Sequence, residues 1–369
     1  MFGNASKATM VLPPVRRRTV MGAGLAGVAG LGALGAGALA GCGPGGATTA
    51  GPGPAGTTQA TARPVEQTSL RLSWIKNTEF AGFFVAQERG YYKDEGLDVT
   101  INGAAQNLSS IQAVASKADA IGLHGGQSLM LARSQGIPVK AFGALFQKGP
   151  GCFIWLEQSG IRGLQDFKGK KLGHQQDARA AVEAILTMNQ VRVEDVTLVP
   201  VGFGIEPLLT GQVDVYTGLV TNQVVLLEQQ GHKVGYVPYS DLGFTFYWNT
   251  PFVLDETFKA RKDMLAYWLR ASARGWDYAL KNPDEVAKLV VEKYGEGLDL
   301  ANQTIELKRE TPLILTDFTR QRGLFWMDEA VWKTGHDILL NQTKQLEKPL
   351  NLDEVQSLDV LARTGKVPA

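Results

Sequence analysis

Leu70, Leu72 and Trp74 alternate with polar residues, the two-residue period of a strand with one buried face. A short helical stretch follows at about 81–89 and stops at Gly90, in the position of a C-terminal cap. Alternation returns at Leu97, Val99 and Ile101. Leu108, Ile111, Val114 and Ala115 then share one helical face. Lys117-Ala118-Asp119 turns the chain into an apolar strand at 120–123, and a helix over about 127–135 ends at Gly136. This β-α-β-α order predicts a mostly parallel sheet with helices on both faces.

The same phrase recurs. A strand at 172–174 precedes a helix over about 178–188, and a strand at 196–201 precedes a short helix near Glu206. Asp214 enters a strand at 215–217, and a further helix ends at Gly231 before Val234. Asp119 and Asp214, Gly136 and Gly231, and Val139 and Val234 are each separated by 95 residues. The shared offset predicts two lobes of like construction, with the two aspartates as turn residues that satisfy nearby amides. The rest is helical. Met264, Leu265, Trp268, Leu269, Ser272, Trp276, Ala279 and Leu280 fall on one face, which makes these tryptophans core residues. Helices over 284–294, from Asp328 and from Asp353 complete the pattern.

The N-terminal 41 residues read differently. Arg16-Arg17-Arg18 precede a charge-free, Gly/Ala-rich run from Val20 to Ala40, the n-region and h-region of an export signal. Arg17 and Arg18, followed by Thr19-Val20-Met21, fit a twin-arginine signal, and the weakly apolar run suits that route. Leu39-Ala40-Gly41-Cys42 has the form of a bacterial lipobox, with Cys42 as the thiol that takes lipid. Residues 42–68 are Gly, Pro, Thr and Ala with hardly a large apolar side chain, and read as a flexible tether.

Charge is nearly balanced, 37 basic against 36 acidic residues, which argues against a nucleic-acid partner. With Cys42 lipidated, Cys152 has no partner within the chain. The four histidines lie far apart, outside any metal-ligand spacing, so no metal and no cofactor is expected.

The segment L-S-W-I-K-N-T-E-F-A-G-F-F-V-A-Q-E-R-G-Y-Y-K-D-E-G-L-D-V (72–99) resembles the opening of the family that joins thiamine-pyrimidine synthases to bacterial solute-binding proteins. A-R-S-Q-G-I-P-V (132–139), D-F-K-G-K-K-L-G (166–173), T-G-Q-V-D-V-Y-T-G (210–218) and M-D-E-A-V-W (327–332) extend the resemblance over about 69–365. It implies an α/β periplasmic-binding-protein fold of type II: two lobes joined by a two-strand hinge, with lobe 1 at 69–150 plus 250–369 and lobe 2 at 151–249. It also implies a monomeric ABC-importer receptor, anchored outside the membrane, that delivers a small ligand to a permease. The family's ligands include formylaminopyrimidine, riboflavin, sulfonates, taurine and nitrate.

The synthases of this family use a pyridoxal-phosphate lysine, a sacrificed histidine and an iron-binding cysteine segment. At the matching positions this chain has His124, Ser128 and 242–248 without cysteine, and Phe80 replaces a further histidine. The expected function is therefore binding, not catalysis. Strand-end and loop positions nominate Trp74, Asn77, Phe80, His124, Glu206, Tyr216, Asn222 and Trp248 as ligand-binding residues, with Phe83, Phe203 and Tyr247 beside them. Aromatic faces and Asn side chains suit a flat heterocycle, a thiamine pyrimidine precursor or riboflavin. A sulfonate, taurine or nitrate would call for Arg, Lys or free helix-N-terminal amides, and Gly125-Gly126-Gln127 could present the last of these. If the leader uses the twin-arginine route, Arg17→Lys with Arg18→Lys abolishes export, read as loss of the mature protein from the membrane fraction; undiminished export rejects that route.

Overall fold

A computed structural model of the chain describes residues 64–104, 108–365 and 367–368. Arg17, Arg18, Cys42 and nearly all of the expected tether lie outside the described residues. The folded part begins earlier than the alternation suggested. The first strand, β1, spans Glu66–Arg71 and pairs Glu66 with Leu97, so residues assigned to the tether are in the sheet and Trp74 lies beyond the strand's end. Glu66 and Gln67 were hidden because their side chains are polar.

The remaining strands are β2 (Leu97–Asn102), β3 (Ile121–His124), β4 (Val139–Ala141), β5 (Gly151–Leu156), β6 (Lys171–His174), β7 (Thr197–Pro200), β8 (Val215–Leu219), β9 (Val234–Pro238) and β10 (Thr250–Leu254). They form two five-stranded sheets, ordered β2-β1-β3-β10-β4 and β7-β6-β8-β5-β9. In each sheet four strands run one way, and the inserted strand, β10 or β5, runs against both neighbours. The order is the same in both, with β1 to β4 matching β6 to β9. The 95-residue offset is thus a structural repeat. Val139 and Val234 start the equivalent strands β4 and β9, and Gly136 and Gly231 turn into them with φ of 84° and 81°. Asp214 accepts from the Lys171 amide at the start of β6, a contact across the sheet rather than within its own turn. Asp119 instead accepts from the Arg71 and Asn102 side chains, tying the ends of β1 and β2 to β3.

The chain passes between sheets twice, through 142–150 and 239–249. The crossings pair antiparallel at Phe146 and Trp248: the Phe146 amide donates to the Trp248 carbonyl at 3.1 Å and the Trp248 amide to the Phe146 carbonyl at 3.3 Å. This is the two-strand hinge. Each lobe's inserted strand is the one by which the chain arrives from the other lobe.

The helix Lys262–Lys281 buries every residue of the face read from its period, and packs on the helix Ala81–Glu88. Phe83 stacks on Trp268 (5.5 Å, 22°) and meets Trp276 edge-on. Among the described residues no helix is long and apolar enough to cross a membrane. The two helices touch through glycine: a Cβ on Gly275 would lie 2.0 Å from the Gly82 carbonyl oxygen. Gly275→Ala therefore separates them and destabilises the protein by about 1–3 kcal/mol or more, measured by urea denaturation; an unchanged midpoint contradicts this packing.

Candidate ligand cleft

The carboxyl ends of the parallel strands face one another across a cleft, where loops rather than strands supply side chains. From the first sheet come Ser73, Trp74 and Glu79 beyond β1 and His124 at the end of β3; from the second come Gln175 beyond β6, Phe203 beyond β7 and Thr217 in β8. The hinge crossing adds Phe244, Phe246, Tyr247 and Trp248. Among the described residues no Arg or Lys lines the cleft.

Aromatic rings close it. Trp74, 8 % exposed, meets Phe203 of the opposite wall at 5.8 Å between centroids and 57°. Phe203 is half exposed, as suits a rim side chain. The Trp74 indole Nε1 is buried without a hydrogen-bond partner. Trp248 comes from the hinge, and its Nε1 donates to Glu79 Oε1 at 3.0 Å. Tyr247 is held through its hydroxyl, which accepts from the Asp328 amide at 2.6 Å; burial pushes its pKa up to about 12.

Glu79 is the acidic group of the cleft. Its Oε1 also accepts from Asn249 Nδ2 at 2.9 Å, whereas Oε2 is buried and unpartnered. Burial pushes its pKa up to about 7, against the two donors that pull it down. Behind it, two more buried carboxyls stand on the helix Leu300–Ile314. Glu306 accepts from Asn77 Nδ2 (3.1 Å), Asn222 Nδ2 (2.8 Å) and Gln303 Nε2 (2.7 Å). These amides favour the ion, but burial outweighs them and, with the Glu79 charge, pushes Glu306 up to about 8. Glu310 is wholly buried, has no partner on either oxygen, and is raised well above the carboxylate range by burial and by its two acidic neighbours.

Of the eight nominated residues, Trp74, His124 and Trp248 line the cleft, as do Phe203 and Tyr247. The other five are placed elsewhere. Asn77 is fully buried and braces Glu306. Phe80 is core, like Phe83, because the helix it precedes is covered on that side. Glu206 is exposed at the start of the four-residue helix Glu206–Leu209. Tyr216 points into the core of the second lobe, where its hydroxyl donates to the Gly202 carbonyl and accepts from Gln175, which does line the cleft. Asn222 sits at the N-cap of the helix Gln223–Gln229 but caps nothing; its side chain reaches Glu306 of the other lobe. Glu79, Gln175 and Glu306 went unnoticed in the sequence. Only the isolated acid in N-T-E-F-A-G-F-F signalled Glu79.

The NMT1/THI5-like family profile matches residues 77–286, more than half of the chain. The chain belongs to the NMT1/THI5-like family. Among its relatives are the riboflavin-binding protein RibY of Chloroflexus aurantiacus, 28 % identical over 74 % of this chain and 80 % of that one, and the formylaminopyrimidine-binding protein of Halalkalibacterium halodurans, 25 % identical over 76 % and 89 %. A Saccharomyces cerevisiae 4-amino-5-hydroxymethyl-2-methylpyrimidine phosphate synthase is 25 % identical over 59 % of this chain and 68 % of its own length. The fold is that of solved binding proteins: the alkanesulfonate-binding protein SsuA of Xanthomonas axonopodis pv. citri superimposes with a TM-score of 0.64 at 14 % identity, covering 80 % of this chain and all of that one.

The NMT1/THI5-like enzymes' groups do not fit here. Among the described residues no lysine lines the cleft, and no group of acids, His and Cys could hold a metal. Cys152 is buried and free, its thiol pushed up by burial.

The buried acids tie stability to pH. An unfolded glutamate ionises near 4.5, but in the fold Glu306 does so at about 8. Between these values the native state holds protons that the unfolded chain has released. Stability is therefore fully present below about pH 4.5 and is lost as pH rises through about 8, by about 1.4 kcal/mol per unit for each such carboxyl. Glu310→Gln should leave the urea midpoint at pH 5 nearly unchanged, raise it at pH 8 and flatten the slope between. A parent midpoint that climbs from pH 5 to 8, with the variant following it, contradicts the burial of protonated acids.

Proposed function

We propose that the chain is the extracytoplasmic solute-binding lipoprotein of an ABC importer, and that it captures a small flat heterocycle, a thiamine pyrimidine precursor or riboflavin, by lobe closure. The observation that carries this reading is the cleft itself: indole and phenyl faces on both walls, amide side chains between them, and, among the described residues, no Arg or Lys. Stacking on such faces contributes about 0.5–1.5 kcal/mol per ring beyond burial. The names of the riboflavin- and formylaminopyrimidine-binding relatives agree with it.

A sulfonate, taurine or nitrate is the second reading, raised by the fold shared with SsuA. Two amides that could have served an anion are engaged: the Gly125 amide donates to His124 Nδ1, and the Gly126 amide to the Tyr247 carbonyl. A third reading, synthesis of a pyrimidine, lacks its lysine and its metal ligands. Lipid on Cys42 would tether the lobes near a permease at high effective concentration.

Contacts between the lobes support this closure. Besides the Asn222–Glu306 bond, Arg309 donates to the Val220 carbonyl and pairs with Glu228, and Gln345 Nε2 donates to the Ala180 carbonyl at 2.6 Å. Each joins a C-terminal helix or loop to the second lobe, so each favours the closed state that a ligand selects.

Titration calorimetry on the mature domain with formylaminopyrimidine, riboflavin, taurine and nitrate tests the reading. One of the two heterocycles should bind, and Trp74→Ala should weaken it by about tenfold or more. Tight taurine or nitrate binding with neither heterocycle bound overturns it. Arg309→Ala, remote from the ligand, should weaken binding by about five- to tenfold through faster release; an unchanged off-rate removes Arg309 from closure.

A further inference from the structure

A carboxyl group in a cleft without cations needs its own explanation. Two donors on Oε1, the Trp248 indole and the Asn249 amide, fix Glu79 in place and use up that oxygen. Both belong to the hinge crossing. Oε2 has no partner, though the residue is only 2 % exposed and lines the cleft. On the same wall, Trp74 Nε1 is buried and equally unpartnered. An ionised carboxylate can only accept hydrogen bonds and an indole N–H can only donate. A buried polar atom left without a bond is costly, and a ligand that supplies the bond gains that difference.

Resting on the heterocycle reading above, we propose that Glu79 and Trp74 form an acceptor–donor pair that selects the ligand by its polar edge: an N–H or amine for Glu79 Oε2, beside a ring nitrogen or carbonyl for Trp74 Nε1. An aminopyrimidine offers its exocyclic amine next to a ring nitrogen. The isoalloxazine ring offers an imide N–H next to a carbonyl. A sulfonate or nitrate offers acceptors alone and meets the carboxylate unfavourably. The pair thus does two things at once: it rewards a donor–acceptor edge, and it disfavours the anions that proteins of this fold also carry. Glu306 and Glu310 behind Glu79, held protonated at neutral pH by burial, supply no counter-ion to it.

The test is a cycle of two changes, one in the protein and one in the ligand. Calorimetry compares the parent and Glu79→Gln, each with formylaminopyrimidine and its des-amino analogue, and with riboflavin and riboflavin methylated at the imide nitrogen. Removing the donor from the ligand should weaken parent binding by about 10- to 100-fold, as loss of a partner for a buried polar group does. Glu79→Gln should lose about as much with the intact ligand and lose nothing further with the analogue. Trp74→Phe keeps a ring against Phe203 and removes only the donor; it should lose about tenfold. A parent that binds the donor-less analogue as tightly as the ligand overturns the proposal without any variant, so a poorly folding Glu79→Gln does not shelter it. A folded Glu79→Gln that keeps the parent's preference between ligand and analogue also overturns it, leaving the heterocycle site intact. A parent that binds only taurine or nitrate removes the heterocycle reading and this inference with it.

Discussion

The pairing of Phe146 with Trp248 is the constraint from which the rest of the architecture follows. It clamps the two crossings into one hinge, and each crossing then delivers the inserted strand of the lobe it enters. Because the crossings lie at the carboxyl ends of the parallel strands, the hinge is also the floor of the cleft. Trp248 serves both roles: its backbone makes the hinge and its indole holds Glu79. Glu79 is held at the base of the cleft by the return crossing, through Trp248 and Asn249.

The polar interior behind the cleft is an expensive design by ordinary standards. Three buried carboxyls with no cation among their partners persist only by holding protons or by sharing amide donors, and each one lowers stability at neutral pH. Proteins tend to retain such costs where function draws on them. Here Glu306 receives one of its donors from the second lobe, through Asn222, so the cluster that weakens the fold also spans the two lobes. Glu79, at the cleft end of the cluster, is its member among the residues that line the cleft.

The family relation gains meaning from the places where chemistry is missing. The resemblance sets His124, Ser128 and 242–248 against the enzymes' lysine, histidine and cysteine segment, and in this chain Phe244, Phe246, Tyr247 and Trp248 put flat apolar surface into the cleft. In this chain the cleft end of the sheets carries indole and phenyl faces. The relatives include both binding proteins and a synthase, so fold and family do not by themselves fix the activity.

Much was legible in the chain itself. The parallel strands, most helices, the internal 95-residue repeat and the family could be read from periodicity, turn glycines and motifs, because these are local signals repeated at a characteristic spacing; the inserted strands β5 and β10 went unread. The fully buried face of 262–281 is the clearest case. The tertiary structure alone decided which polar residues face inward. Gln303, Glu306, Leu307, Glu310 and Ile314 form the buried side of their helix, but three polar members break the apolar period that would have marked it. Strand-end position likewise nominated Tyr216 and Asn222 without revealing that one turns into a core and the other crosses to the opposite lobe. The partners that set these orientations lie far along the chain, 170 residues from Glu79 to Asn249 and 229 from Asn77 to Glu306. A hydrogen bond over that distance leaves no pattern in sequence; it exists only once the lobes have packed.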